Sequence, residues 1–158
     1  MLKKLLTTSA MLGTILFSTS AFAGMTASGA IVAAKSDLPD NIIVMGYEEG
    51  QDTAIVNFRN PDDLMDYAVE VSLETGKVLK MDIEGASIHG STIMTKSLED
   101  IEAIILSEYP VAQEIFITTG QDGNNTYYET VFVTPEFAAE AKMNPVTGAF
   151  SEREYVFF

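Results

Sequence analysis

SLEDIEAIILSEYP, residues 97 to 110, marks both ends of one amphipathic helix. Ser97 stands at the N-cap, where its hydroxyl can accept from a backbone N–H of the first turn. Glu99, Asp100 and Glu102 suit the positive end of the helix dipole, and Pro110 disfavours helical geometry at Tyr109. Leu98, Ile101 and Ile105, with Ile104 one position round, form an apolar stripe. A lone helix of this length is marginal in water, whereas each buried aliphatic side chain contributes about 1.5–3 kcal/mol. The stripe therefore needs a partner surface, and the strand-like segments that follow supply it.

Upstream, Tyr67, Val69, Val71 and Leu73 share one face of an alternating segment, with Ala68, Glu70 and Ser72 on the other. Glu74-Thr75-Gly76 turns the chain, and Leu79, Met81 and Ile83 return together, which is the pattern of a half-buried hairpin. Two earlier apolar runs, Ile42 to Tyr47 and Thr53 to Phe58, flank a turn at Glu48 to Asp52, and SGAIVAAKSDLP before them is a short helix candidate. The same punctuation then recurs. Leu38-Pro39 matches Tyr109-Pro110, Gly50-Gln51-Asp52 matches Gly120-Gln121-Asp122, and Pro61-Asp62 matches Pro135-Glu136. Tyr67-Ala68-Val69-Glu70 matches Phe137-Ala138-Ala139-Glu140, and Thr75-Gly76 matches Thr147-Gly148, all at offsets of 70 to 74 residues. That period is too long for a solenoid and suits two copies of a small domain. The expectation is an α+β protein of two tandem units, residues 24–84 and 97–158, each a helix packed on a four-stranded antiparallel sheet. Residues 85–96, small and polar, read as the linker. Each sheet would bury one face under its helix and leave the other open for binding.

At the N-terminus, Lys3 and Lys4 precede an apolar run from Ala10 to Phe17 and the small-x-small triplet Ala21-Phe22-Ala23. Residues 1–23 therefore read as a secretory signal peptide, and the protein as periplasmic or secreted. The apolar run is shorter than the ~20 residues a membrane span needs. The chain has no cysteine, so it has neither a disulfide staple nor a lipidation site behind the signal. Its formal charge of −14 becomes −16 once Lys3 and Lys4 are removed, which disfavours nucleic acid and anionic membrane surfaces as partners.

The helix ending in Tyr109-Pro110, the segment Tyr127-Tyr128-Glu129-Thr130-Val131 and the closing stretch Ala141 to Phe150 resemble the PepSY family and, more loosely, small exported domains of the beta-lactamase-inhibitory-protein kind. The resemblance spans residues 97–158 directly and the first half through the internal repeat. The family usually carries an Asp shortly before its Thr-Gly turn; Glu74 and Asn144 stand nearest that place here. The resemblance implies an exported, non-catalytic module that requires no cofactor and whose partner is another exported protein, a peptidase among the candidates.

The chemistry-bearing residues agree with a non-enzyme. His89 is the sole histidine and sits between Ile88 and Gly90 in the linker; with Ser91 beside it in sequence and no cysteine, it makes a poor catalytic pair. One histidine also disfavours a zinc or copper site, so no metal residue is assigned. Gln121-Asp122-Gly123-Asn124-Asn125 offers oxygen ligands for calcium, the alternative function together with small-ligand binding, but lacks the ligand spacing of a calcium loop and reads as a hairpin turn. Glu70 and Glu140 occupy matching repeat positions on the outer sheet face; with Tyr127 or Tyr128 they are the candidate binding residues of an acidic, aromatic-edged surface. The terminal Glu154-Tyr155-Val156-Phe157-Phe158 raises a small outer-membrane barrel as a remoter alternative.

Overall fold

The computed structural model describes residues 24–85 and 89–158. The elements run α1 (Ala27–Lys35), β1 (Ile43–Glu49), β2 (Thr53–Arg59), β3 (Asp66–Ser72) and β4 (Val78–Glu84), then α2 (Leu98–Glu108), β5 (Gln113–Asp122), β6 (Asn125–Val133), β7 (Phe137–Met143) and β8 (Phe150–Phe157). The segment read as a signal peptide, residues 1–23, lies outside the described residues.

The expectation of two units with separate four-stranded sheets is overturned. All strands belong to one antiparallel eight-stranded sheet of order β1-β2-β3-β4-β8-β7-β6-β5. The joint is β4 against β8, where Lys80 to Glu84 pair with Val156 to Glu152. The last strand of either half, left alone, would expose a row of unpaired N–H and C=O groups. Pairing the two strands satisfies both rows at once. Residues 85–96 therefore connect the two halves of one sheet. The sheet is open, with β1 and β5 at opposite edges and β8 inside, so the barrel alternative is also overturned.

The two halves repeat down to their irregularities. Ladder register shifts fall at Val44/Gly46 in β1 and at Gln113/Phe116 in β5, and again at Glu70/Val71 and Lys142/Met143. Gly76 and Gly148 take positive φ angles of 72° and 75° in the equivalent turns, and their N–H groups donate to Ser72 and Asn144 carbonyls. At Gly148 the Ile104 side chain closes over the turn with its Cδ1 where a Cβ would stand, while the positive φ is what calls for glycine.

Among the described residues both helices cover the same face. One inner row crosses seven strands in register: Tyr47, Val56, Val69, Met81, Tyr155, Ala139 and Phe132. These residues belong to a single core cluster that also takes in Ala34 of α1 and Ile101 and Ile105 of α2. Thr26 caps α1 by accepting from Gly29 N–H at 3.2 Å, and the small residues Ala30 and Ala34 let the helix lie close on β2 and β3. In α2 a reciprocal capping box forms: Ser97 Oγ accepts from Asp100 N–H at 3.1 Å, and Asp100 Oδ2 accepts from Ser97 N–H at 2.8 Å. The helix stops at Tyr109, whose φ of −124° and ψ of 78° suit the residue before a proline.

Of the apolar stripe, Ile101 and Ile105 are fully buried, Ile104 covers Gly148 and Leu98 is largely exposed. Replacing Ile105 by Ala should cost about 2–5 kcal/mol in denaturant unfolding, and Leu98→Ala less than about 1 kcal/mol.

Candidate functional site

The outer face of the sheet carries the functional interest because both helices lie on the other side. Cross-strand pairing arranges it in rows. One runs Asn57, Ala68, Asp82, Glu154, Glu140, Val131, Phe116; the next runs Arg59, Asp66, Glu84, Glu152, Lys142, Glu129, Thr118. Acids outnumber bases, and the few cations are shared among them. Lys80 Nζ lies 3.1 Å from Asp82 and 3.0 Å from Glu154, Lys142 Nζ lies 2.5 Å from Glu152, and Arg59 makes a two-pronged pair with Asp66. Between the charges stand exposed apolar side chains, Ile55, Val131, Val156 and, near the β5 edge, Phe116 at 65% exposure.

At one end of this face the linker closes a hollow. Ser91 pairs with Thr126 of β6 through two 2.9 Å backbone hydrogen bonds. Gly90 lies against the same strand, where a Cβ would come within 2.7 Å of Thr126 O. His89, held by this clamp, packs over the outer row of the sheet. A cavity of about 220 Å³ opens beside it, lined by His89, Gln121, Asp122, Tyr127, Lys142 and Glu152. His89 Nδ1 is 3.3 Å from Glu152 Oε1, and ligand atoms of Glu84, His89 and Glu152 all lie within 4.8 Å of one another. His89 is therefore not the free linker side chain that its sequence setting implied: its ring is about two-thirds covered. The Ser91 hydroxyl accepts from Ile93 N–H.

The four expected binding residues do not share one surface. Glu70 and Glu140 fall on the outer face, Glu70 opposite Lys80 and Glu140 opposite Glu154. Tyr127 is on that face too; its ring packs where a Cβ of Gly120 would stand, its hydroxyl donates to Glu129 Oε1, and Lys142 Nζ sits 5.4 Å from the ring centre. Tyr128 belongs to the core instead, 3% exposed, with its hydroxyl donating to Lys96 O at 2.8 Å to anchor the start of α2. Strand alternation forces this choice between neighbours. The Asp122–Asn125 stretch is a tight hairpin: Asp122 and Asn125 pair, and Gly123 takes a φ of 60°. The two glutamates that meet His89 were not legible, because β4–β8 pairing brings together positions 84 and 152.

No protein-family model matches the chain, and no curated protein does. Among solved structures, the C-terminal domain of Bacillus megaterium YpeB is similar at 13% identity and a TM-score of 0.45, over 82% of this chain. The match covers 62% of that domain, so the chain spans less than two-thirds of its length. A likeness this distant says nothing about activity. Among the described residues no helix is long and apolar enough to cross a membrane.

Electrostatics on the outer face are testable through Asp82. Burial raises its pKa above the ordinary carboxylate value, Lys80 opposes the rise, and Glu154 and Glu70 add to it. A pKa raised on folding gives a contribution fully present below the unfolded value of about 3.9 and lost as pH climbs through the folded one. The stability of the native protein relative to Asp82→Asn should therefore increase as pH falls from about 7 towards about 4.5, read from paired thermal melts. A decrease over that interval would mean that pairing with Lys80 outweighs burial.

Proposed function

We propose that the protein is an exported, non-catalytic binding module that docks another exported protein on the outer face of its sheet. The observation that carries this reading is the exposure of that face: among the described residues neither helix covers it, and it mixes carboxylates with uncovered aliphatic and aromatic side chains. The chemistry such a surface complements is a patch with basic groups around apolar ones. A peptidase is the partner class that the PepSY resemblance implies, and binding would block or modulate it without covalent chemistry. Export rests on the charged, apolar and small-residue pattern of residues 1–23. The net charge of −14 opposes nucleic acid and anionic membranes as partners.

The alternative, a small-ligand or calcium-binding role, draws its support from the cavity beside His89 rather than from the Asp122–Asn125 turn.

The test is retention of exported proteins from the source cell on the immobilised protein, compared with two variants. Phe116→Glu places a charge on the outer face, and Val32→Glu does so on the exposed side of α1. One retained protein, held at moderate salt, should lose at least about tenfold in affinity with Phe116→Glu and little with Val32→Glu. Equal retention by both variants, or retention that vanishes as salt screens the charge, would refute docking on this face.

A further inference from the structure

We propose that Glu84, His89 and Glu152 form a binding site for a divalent transition-metal ion, with zinc as its natural probe. Three separate parts of the fold bring the ligands together. β4 and β8 place Glu84 directly opposite Glu152, and the linker lays His89 over that pair. Like charges directly opposite on a sheet repel. Lys142 compensates only Glu152, while Glu84 has no ion-pair partner among the described residues.

The histidine supplies an independent sign. Its Nδ1 is shut off from solvent and makes no hydrogen bond among the described residues, although Glu152 Oε1 is 3.3 Å away. A buried ring nitrogen whose near neighbour, the Glu152 carboxylate, is out of hydrogen-bonding geometry is costly, and a ligand shared with that carboxylate satisfies both. Ligand atoms about 2.0–2.1 Å from zinc stand roughly 2.9–3.4 Å apart, depending on coordination number. His89 Nδ1 and Glu152 Oε1 already stand 3.3 Å apart, and the three ligand atoms all lie within 4.8 Å of one another, so the exposed Glu84 carboxylate closes the set by a side-chain rotation.

Lys142 does not compete for the site's inner oxygen. It holds Glu152 Oε2 at 2.5 Å, leaving Oε1 turned towards His89. A carboxylate ligand fixed through its second oxygen is the usual outer-shell arrangement around metals. An imidazole nitrogen with two carboxylates suits zinc and its neighbours, whereas calcium wants six to eight oxygens. Three protein ligands leave coordination positions for water or for a group from another molecule, and the cavity of about 220 Å³ lined by Asp122, Gln121 and Tyr127 adjoins them. The site stands independently of the docking reading, although it shares the outer face.

The experiment is calorimetric titration of zinc into purified, chelator-stripped protein carrying no polyhistidine tag, with His89→Gln and Glu84→Gln beside it. Binding of one ion per chain is expected, weakened at least about tenfold in each variant. Cobalt titration adds a coordination-sensitive absorption band, which His89→Gln should abolish. Metal-free melts of His89→Gln should remain cooperative, so that lost binding reports the missing ligand and not an unfolded chain. No binding, or zinc affinity unchanged in His89→Gln, would overturn the proposal, the latter by showing only diffuse attraction to the acidic surface.

Discussion

The antiparallel ladder between β4 and β8 is the contact on which the rest of this structure depends. It sits at the middle of the sheet, and every residue pair across it links one half of the chain to the other. On the inner side Met81 meets Tyr155, so the apolar layers under α1 and α2 merge into one core. On the outer side Asp82 meets Glu154 and Glu84 meets Glu152, so carboxylates from both halves are forced together. The single core and the acidic, uncovered face thus have one origin.

β8 also carries a polar group that would otherwise be costly inside, and its partners come from the end of α2. Arg153 lies on the inner face of β8, with a side chain 19% exposed. Its Nη1 donates to Glu108 Oε1 at 2.5 Å and to the Tyr109 hydroxyl at 3.0 Å, while the Tyr109 and Tyr155 hydroxyls stand 2.6 Å apart. Burial, followed by the bond to Tyr155, holds the Tyr109 phenol above its ordinary pKa, so it remains a neutral partner for the guanidinium. A buried charge is tolerable when its hydrogen bonds are met in this way. The network ties the end of α2 to the central strand, and Tyr109 extends it into an aromatic cluster with Phe132, Phe137 and Phe150.

Local signals were legible because they report local physics. Ser97, Asp100 and Pro110 mark the ends of α2 whatever the helix packs against, and the alternation from Tyr67 onward specifies a half-buried strand. Gly76 and Gly148 mark turns because only glycine takes those φ angles without strain. The joining of the sheet was not legible, since an edge strand carries no letter naming its partner. Residues of β8 alternate as well against solvent as against β4. The candidate site shared that fate: Glu70, Glu140 and Tyr127 were found through strand periodicity, Tyr128 could be separated from Tyr127 only by the register, and the meeting of Glu84, His89 and Glu152 required the ladder and the clamp at Ser91.

Amide hydrogen exchange across β4 and β8 tests the central claim most directly. If the two strands are the interior of one sheet, the ladder amides from Met81 to Ile83 and from Arg153 to Tyr155 should be among the slowest in the protein and exchange only through global unfolding. Rapid exchange of every second amide along both strands, as at free sheet edges, would show two separate sheets and contradict the account.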